Sequence, residues 1–171
     1  MLPIAKHRDA ILTSIANNQV TIIVGETGSG KTTAVPQFLY EAGFGKTGMI
    51  GVTEPRRIAA ISVAKFVASN LNVTVGKTVA HKIRFDDETD QDTVVKFMTD
   101  GILLREFHDD PLLSKYAVIM IDEAHRTQSS DLGDNLFEAF PNATRVAFTG
   151  TPLVTEQHGT LEKLYDAVIQ S

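Results

Sequence analysis

The stretch VTIIVGETGSGKTT, residues Val20 to Thr33, decides the fold of this chain. Its first five residues are apolar or β-branched, which predicts a buried strand. The next eight, Gly25 to Thr32, fit the pattern G-x-x-x-x-G-K-[ST] at every fixed position. A helix is predicted over residues 31–41. A strand, a glycine-rich loop and a helix in this order predict a phosphate-binding loop rather than an ordinary turn.

The chemistry of this loop explains its spacing. Glycines let the backbone curl until successive N–H groups surround an anion, and the helix N-terminus favours the same negative charge. We therefore expect ATP or another nucleoside triphosphate here, with Lys31 at the β- and γ-phosphates and the Thr32 hydroxyl on Mg²⁺. The other loop residues of the predicted site are Gly25, Glu26, Thr27, Gly28, Ser29, Gly30 and Thr33.

Composition and charge limit the class of protein. The 171 residues suit one domain, and 43% hydrophobic with 22% charged residues is typical of a soluble globular chain. The absence of cysteine excludes disulfides and thiolate metal sites. A net charge of −5 argues against broad adhesion to nucleic acid, although a local basic contact fits it. Without a membrane-spanning or signal-peptide pattern, we expect a cytoplasmic or nuclear protein that is not secreted.

A pair of carboxylates follows the most apolar strand of the chain. The run Tyr116 to Ile121 is typical of a central parallel strand buried on both faces. Asp122 and Glu123 come at its C-terminal end, where open α/β sheets bind ligands. We expect both to serve as Mg²⁺ ligands, Glu123 to act as the base or positioner for the attacking water, and His125 to act as a relay. A zinc site is disfavoured, because no second histidine stands at ligand spacing.

The remaining elements alternate between helix and strand. Helices are predicted over residues 2–16, 58–71, 102–107 and 132–140, and strands over residues 47–53, 79–85, 93–98 and 144–148. The acidic run 86–88 predicts a solvated turn. The helical spacing of Leu161, Leu164, Tyr165 and Val168 predicts a C-terminal amphipathic helix. This alternation predicts a mostly parallel, three-layer α/β sheet with both polar motifs along its carboxyl edge.

Two strand–helix junctions carry residues that suit a nucleic-acid backbone. Arg56 and Arg57 follow the second predicted strand, where they could reach phosphates. A solvated helix start explains them equally well. Thr99 and Asp100 precede a short predicted helix, and a simple helix cap at Thr99 is as good an explanation as a nucleic-acid contact.

Together these motifs resemble the first RecA-like motor domain of the DEAH-box (DEAH/RHA) helicases of superfamily 2. The matching segments are GETGSGKTT at 25–33 (motif I), TEPRRIAA at 53–60 (motif Ia), TDGILLRE at 99–106 (motif Ib) and DEAH at 122–125. The family more often has Gln where Glu54 stands. From Arg126 onward, DEAHRTQ, DLGDNL, FPNA and FTGTPL resemble instead the motor of type I restriction enzymes, which translocates duplex DNA.

The resemblance implies a fold and a set of roles. It implies one RecA-like P-loop NTPase domain over residues 1–171, with ATP and Mg²⁺ as cofactors. His125, Thr149 and Thr151 would couple the nucleotide to the nucleic acid. The residues Arg56, Arg57, Thr99 and Asp100 would contact single-stranded RNA or, alternatively, DNA. A second RecA-like domain, needed for full activity, is absent from the sequence, so we expect slow hydrolysis by this chain alone.

Three interpretations stay open at this point, besides a small-molecule P-loop kinase, which is weaker because nothing in the sequence marks an acceptor site. The first is the N-terminal motor domain of an ATP-dependent RNA helicase. The second is a DNA translocase motor, favoured by the residues from Arg126 onward. The third is an engineered or chimeric nucleotide-binding fold without catalysis. Measurable ATP turnover that disappears in Glu123→Gln would argue against the third interpretation.

Overall fold

A computed structural model describes residues 2–26, 28–122, 143–149 and 167–170. Its helices are α1 (Arg8–Asn17), α2 (Lys31–Glu41), α3 (Arg57–Asn70) and α4 (Asp100–Asp109), with short 3₁₀ helices at Pro3–His7 and Phe44–Lys46. Its strands are β1 (Val20–Val24), β2 (Met49–Glu54), β3 (Val79–Ile83), β4 (Asp86–Asp87), β5 (Val95–Thr99), β6 (Tyr116–Ile121), β7 (Thr144–Thr149) and β8 (Ala167–Gln170). None of the helices within these ranges is long and apolar enough to cross a bilayer.

The eight strands form one sheet in the order β4-β3-β5-β2-β6-β7-β1-β8. All neighbouring strands run parallel except β3 and β4, which are antiparallel. Parallel strands joined by helices confirm the predicted α/β, RecA-like class. The same topology brings the segments that follow β1, β2, β5 and β6 to one edge of the sheet. That carboxyl edge is where a doubly wound sheet binds its ligands.

Two hydrophobic cores cover the two faces of the sheet. Side chains alternate along each strand, so Phe97 of β5 faces the core under α1, α2 and α3, and Met98 faces the core under α4. Phe97 and Phe148 are fully buried in the first core. Complete burial of such a ring stabilises the fold by about 3 kcal/mol. The phosphate loop therefore projects from a rigid, packed sheet.

Three predicted elements have the observed bounds, namely the strands β1 and β6 and the helix α2. The other predicted strands shift by one to two residues at their ends, and α4 is longer than the predicted 102–107 helix. The predicted helix over residues 2–16 divides into the 3₁₀ turn and α1. The predicted helix over residues 132–140 lies outside the described residues.

Two expectations were wrong. The acidic run at 86–88 is not a simple solvated turn, because Asp86 and Asp87 form β4 against the end of β3. Val168 lies in β8 rather than in a helix, and it pairs with Ile22 of β1. Val168 and Ile169 are β-branched, which favours a strand, and here they pair with β1 instead of continuing a helix. The other three residues of the predicted C-terminal helix lie outside the described ranges.

Candidate nucleotide and nucleic-acid site

The loop between β1 and α2 has the backbone of an anion-binding turn. Gly28 and Gly30 adopt φ values of 86° and 92°, in the left-handed region that favours glycine. The Ser29 amide donates to the Glu26 carbonyl at 3.1 Å and closes the curl. Thr27 of this loop lies outside the described residues. The two glycines are therefore required by the backbone path as well as by the sequence pattern.

The start of α2 directs further amides toward the loop. Ala34 is the first residue of α2 whose amide donates a backbone hydrogen bond, to the Gly30 carbonyl at 2.8 Å. The amides of residues 31–33 precede that bond, so the helix ladder does not use them. The Thr33 hydroxyl donates to the Gly30 carbonyl at 3.2 Å, whereas Thr32 is half-buried beside it. An anion at this helix end would meet amides and a positive dipole.

Lys31 folds back into the loop. Its ammonium is buried and donates to the Gly25 carbonyl at 2.5 Å, the Glu26 carbonyl at 2.9 Å and the Ser29 hydroxyl at 3.2 Å. Burial lowers the pKa of Lys31, and the negative charge of Asp122 opposes that shift. A phosphate group is a stronger partner for this ammonium than neutral carbonyls are. The lysine is thus held at the loop, with partners that polyphosphate can replace.

Asp122 reaches the same region from the centre of the sheet. It follows β6 directly, is half-buried, and its amide donates to the Thr53 carbonyl at the end of β2. Its field acts on Lys31 although β7 lies between β6 and β1. The Asp122 carboxylate and the Thr32 hydroxyl are hard oxygen donors of the kind that Mg²⁺ prefers, so these residues fit the ion.

Several predicted site residues lie outside the described ranges. These are Glu123, His125 and Thr151, and their predicted roles stay predictions. Thr149 ends β7, and its backbone pairs with Val24, the last residue before the phosphate loop. The end of β7 therefore lies beside the end of β1, where the phosphate loop begins, and the coupling role of Thr149 stays a prediction.

The two basic and polar junctions lie side by side. Thr99 at the end of β5 pairs with Glu54 at the end of β2, so the segment beginning at Thr99 adjoins the one carrying Arg56 and Arg57. Both arginines are exposed at the start of α3. Thr99 occupies the N-cap position of α4, but its hydroxyl makes no cap hydrogen bond, so the capping role is not realised. Asp100 opens α4, where a carboxylate stabilises the helix dipole.

Comparison with known proteins identifies the family. Residues 4–171 match the family model described as SWI2/SNF2 ATPase. The chain belongs to the SWI2/SNF2 ATPase family. The phosphate loop and Asp122 thus lie in a helicase-type motor domain, as the resemblance implied. The resemblance of the residues after Arg126 to a restriction-enzyme motor stays a prediction.

The SWI2/SNF2 ATPase domain is similar in sequence to longer curated proteins. It is 54% identical over 132 residues to the ATP-dependent RNA helicase DHX33 of Drosophila melanogaster, covering 77% of this chain and 19% of that protein. It is 50% identical over 131 residues to the probable ATP-dependent RNA helicase DHX40 of Homo sapiens (76% and 17%). It is 57% identical over 125 residues to the pre-mRNA-splicing factor ATP-dependent RNA helicase DEAH10 of Arabidopsis thaliana (72% and 17%). The chain spans less than a fifth of the length of these relatives.

The sequence did not predict one feature of this SWI2/SNF2 ATPase domain, the arginine and the exposed aromatic residue beside the start of α3. Arg84 and Phe85 form the turn between β3 and β4, and Phe85 is 91% exposed. The Arg84 guanidinium lies 4.9 Å from the centre of that ring. Arg57 donates from Nη2 to the Arg84 carbonyl at 3.2 Å, which joins the turn to the start of α3. The signal in the sequence was Phe85, a large aromatic residue between Arg84 and the acidic residues 86–88, where a solvated turn would not need one.

Beside this turn lies a mainly apolar groove of about 750 Å³ at the start of α3. It is lined by Arg56, Arg57, Ile58, Ala59, Ile61 and Ile83. Ile58 is 78% exposed in it. The arginines of this groove and the exposed Phe85 ring of the adjacent turn suit an unpaired nucleotide strand, because arginine supplies charge and an aromatic ring supplies a stacking surface.

Proposed function

We propose that this domain binds ATP with Mg²⁺ and couples hydrolysis to single-stranded RNA, as the N-terminal motor domain of a DEAH-type RNA helicase. The phosphate loop carries the proposal, because Lys31 is held at the Gly25 and Glu26 carbonyls on the edge of the sheet where Asp122 follows β6. A phosphate-loop ammonium and a carboxylate from a central strand act on each other at one edge of the sheet. This is the arrangement that phosphoryl transfer in P-loop enzymes requires.

The loop, the start of α2 and the two acids after β6 have separate roles in this proposal. The amides at the start of α2 bind phosphate oxygens, and Lys31 moves from the loop carbonyls to the β- and γ-phosphates. Thr32 and Asp122 would hold Mg²⁺, which when bound neutralises charge on the transferring phosphoryl group. Glu123, by its position in the sequence, takes the proton of the attacking water.

The nucleic-acid part of the proposal rests on the exposed arginines at the start of α3 and on the names of the similar proteins. Arg56 and Arg57 are exposed and adjoin the end of β5 at the carboxyl edge. Phosphate oxygens are the partners that such arginines prefer. The names of the similar proteins contain the words RNA helicase, which supports RNA over duplex DNA.

We further propose that a second RecA-like domain completes the catalytic site. Arginine fingers in related phosphoryl transfer accelerate the reaction by about 10³-fold or more, and they come from a neighbouring domain or protein. Thr149 and Thr151 would transmit nucleotide state to the RNA-binding edge. This domain alone would then bind ATP well and hydrolyse it slowly.

Titration with a fluorescent ATP analogue, with and without Mg²⁺, tests the nucleotide site in Lys31→Ala. We expect affinity for the triphosphate to fall about 30-fold or more, because one charge-assisted contact is lost. The melting temperature should change little. The Lys31 charge is unfavourably buried, as its lowered pKa shows, and the replacement removes this cost together with the hydrogen bonds.

Lys46→Ala is the matched control for this titration. Lys46 is exposed in the turn before β2, at the opposite edge of the sheet, so its loss should leave nucleotide affinity unchanged. Equal affinity in the parent and in Lys31→Ala would remove the proposed nucleotide site. Addition of EDTA should weaken triphosphate binding in the parent if Thr32 and Asp122 hold the metal.

A further inference from the structure

A short segment before α1 lies against the phosphate loop. We call this segment, Leu2, Pro3 and Ile4, the N-terminal brace. The Ile4 amide donates to the Ser29 carbonyl at 3.4 Å. The Leu2 side chain covers Gly30 so closely that a Cβ atom on that glycine would overlap with it. The brace therefore contacts two consecutive residues of the loop.

The N-terminal brace is itself anchored in the protein. Ile4 is fully buried in the hydrophobic core under α1, α2 and α3. Pro3 opens the 3₁₀ helix, where its ring fixes the backbone, and the Ala5 amide donates to the Leu2 carbonyl at 3.0 Å. Leu2 is 44% exposed, so its side chain packs on the loop without belonging to the core. The loop thus has a support that is tied to the core.

Ser29 connects the N-terminal brace to the lysine of the phosphate loop. Its carbonyl accepts from Ile4, its amide donates to the Glu26 carbonyl at 3.1 Å, and its hydroxyl accepts from the Lys31 ammonium at 3.2 Å. Ser29 is 7% exposed, and its carbonyl, amide and hydroxyl all have partners within the protein. A displacement of Ser29 would therefore disturb both the curl of the loop and a contact of Lys31.

Two sets of contacts hold the loop in its observed path, and only one of them is compatible with bound nucleotide. The first set consists of the hydrogen bonds from Lys31 to the Gly25 and Glu26 carbonyls. In the proposed function Lys31 exchanges these carbonyls for phosphate oxygens, which are stronger partners. The second set is made by the N-terminal brace. It uses a carbonyl and apolar surface, neither of which binds phosphate, so these contacts persist when nucleotide binds.

We propose that Leu2 and Ile4 are positioning residues for nucleotide binding: they hold Ser29 and Gly30 in place while Lys31 turns from the loop carbonyls to the phosphates. The ligand then does not have to order the loop, which lowers the entropy cost of binding. The brace supports binding of the polyphosphate chain and makes no contact with the nucleoside. This inference rests on the proposed nucleotide site and assigns a function to residues that precede α1.

Titration of Leu2→Ala with a fluorescent ATP analogue, and competition of that analogue by inorganic tripolyphosphate, test the inference. Both affinities should fall about fivefold and by the same factor, because the backbone of the loop is less restrained before either ligand binds. Leu2→Met, which keeps an apolar side chain of similar volume, should bind both ligands as the parent does.

Leu112→Ala is the matched control for these measurements. Leu112 is 48% exposed, similar to Leu2, and it lies between α4 and β6 at the amino edge of the sheet. Its replacement should leave both affinities unchanged. An equal loss of affinity in Leu112→Ala would overturn the inference, because the effect would then follow from removing any half-exposed leucine.

Melting temperatures separate positioning from a general loss of stability. Without nucleotide, Leu2→Ala should melt within about 2 °C of the parent, because Lys31 still holds the loop and the lost side chain is half-exposed. With ATP and Mg²⁺, the rise in melting temperature should be smaller in Leu2→Ala than in the parent. An equal rise in the two proteins would contradict the positioning role.

Hydrogen exchange of the parent gives a test that needs no variant. The Ile4 amide should stay protected, or become more protected, when ATP binds, because its bond to the Ser29 carbonyl persists. Faster exchange of this amide in the nucleotide-bound parent would overturn the inference even if Leu2→Ala failed to fold.

The competition experiment has two further outcomes that would overturn the inference. If Leu2→Ala lost affinity for the ATP analogue but not for tripolyphosphate, Leu2 would contact the nucleoside instead of supporting the loop. If tripolyphosphate failed to compete in the parent, the loop would not bind the polyphosphate chain by itself.

The failure of the proposed function is distinguishable from the failure of this inference. If Lys31→Ala bound ATP as tightly as the parent, the nucleotide site itself would be wrong, whatever Leu2→Ala showed. If Lys31→Ala weakened binding and Leu2→Ala did not, the nucleotide site would stand and the positioning role would be wrong.

Discussion

Leu2 packs over the phosphate loop at the point where Gly30 has no side chain. A Cβ atom on Gly30 would lie 2.7 Å from Leu2 Cδ1 and 3.3 Å from Leu2 Cβ. A Cβ atom on Gly28 would meet nothing within 4 Å. The two glycines share a left-handed φ, so they differ in their surroundings rather than in their backbone.

This difference predicts unequal effects of two matched substitutions. Gly28→Ala should lower the free energy of unfolding by about 1–2 kcal/mol, the cost of a left-handed alanine. Gly30→Ala should cost up to about 1 kcal/mol more, because the exposed Leu2 side chain must move. Urea denaturation measures both values. The double variant Leu2→Ala/Gly30→Ala should recover the additional loss, and a failure to recover it would show that Leu2 is not the obstacle.

A buried polar network joins α4 to the sheet. Lys96 of β5 donates to Glu106 of α4 at 2.6 Å and to the Tyr116 hydroxyl of β6 at 2.8 Å. The Tyr116 hydroxyl in turn donates to Glu106 at 2.9 Å. Lys96 is 3% exposed. The network therefore fixes the helix that opens with Thr99 and Asp100 against two strands of the sheet.

The network predicts a loss of stability in alkali. Burial, together with the adjacent Glu106 charge, raises the pKa of Tyr116 far above its ordinary value of 10.0. The unfolded chain releases this proton from about pH 10 upward while the folded chain keeps it, so stability falls by roughly 1.4 kcal/mol per pH unit there. Burial lowers the pKa of Lys96 below its ordinary value of 10.5. As the pH approaches 10.5 from below, this shift makes the stability of the fold rise with pH, opposite to the effect of Tyr116.

Tyr116→Phe isolates the tyrosine contribution. Near pH 7 the variant should lose about 1–2 kcal/mol, because Lys96 and Glu106 each lose a hydrogen bond. Above about pH 10 its stability should stay flat or rise where the parent falls. Chemical denaturation at several pH values measures both profiles. Parallel alkaline losses in the two proteins would contradict the assignment to Tyr116.

The molecule is acidic as a whole, but three exposed arginines are grouped at its carboxyl edge. The chain has a net charge of −5, but Arg56, Arg57 and Arg84 are grouped near the ends of β2 and β3. A polyanion is therefore repelled by the molecule in general, and at this edge the exposed Asp86 and Asp87 of β4 oppose the attraction of the arginines. Local contacts rather than net charge should decide how RNA binds.

The salt dependence of RNA binding measures those local contacts. For single strands each neutralised phosphate contributes about 0.7 to the slope of log affinity against log salt, so Arg56→Ala/Arg57→Ala should reduce the slope by about 1.4. Lys46→Ala/Lys115→Ala removes two exposed cations from the amino edge and should leave the slope unchanged. Equal reductions would indicate diffuse attraction. Stronger binding of duplex DNA than of RNA would favour the translocase interpretation.

At the whole-molecule scale, local sequence predicted the elements better than it predicted their partners. The bounds of β1, α2 and β6 follow from short-range signals, namely β-branched runs and the glycine-rich loop. Lys96 has no such signal, because its burial depends on Glu106 ten residues later and Tyr116 twenty residues later. Val168 also departed from its local pattern, because pairing with β1 outweighed helical periodicity.

The sequence by itself determined the chemistry of the nucleotide site: glycines at left-handed positions, an ammonium at the start of a helix and a carboxylate after a buried strand are specified by residue type and spacing. Only the tertiary structure decided which side chains meet across strands. It put the Asp122 charge within reach of Lys31, set Arg57 against the Arg84 carbonyl and enclosed His81 between two acids. These contacts depend on strand order and register, which arise from packing of the whole sheet rather than from any local stretch.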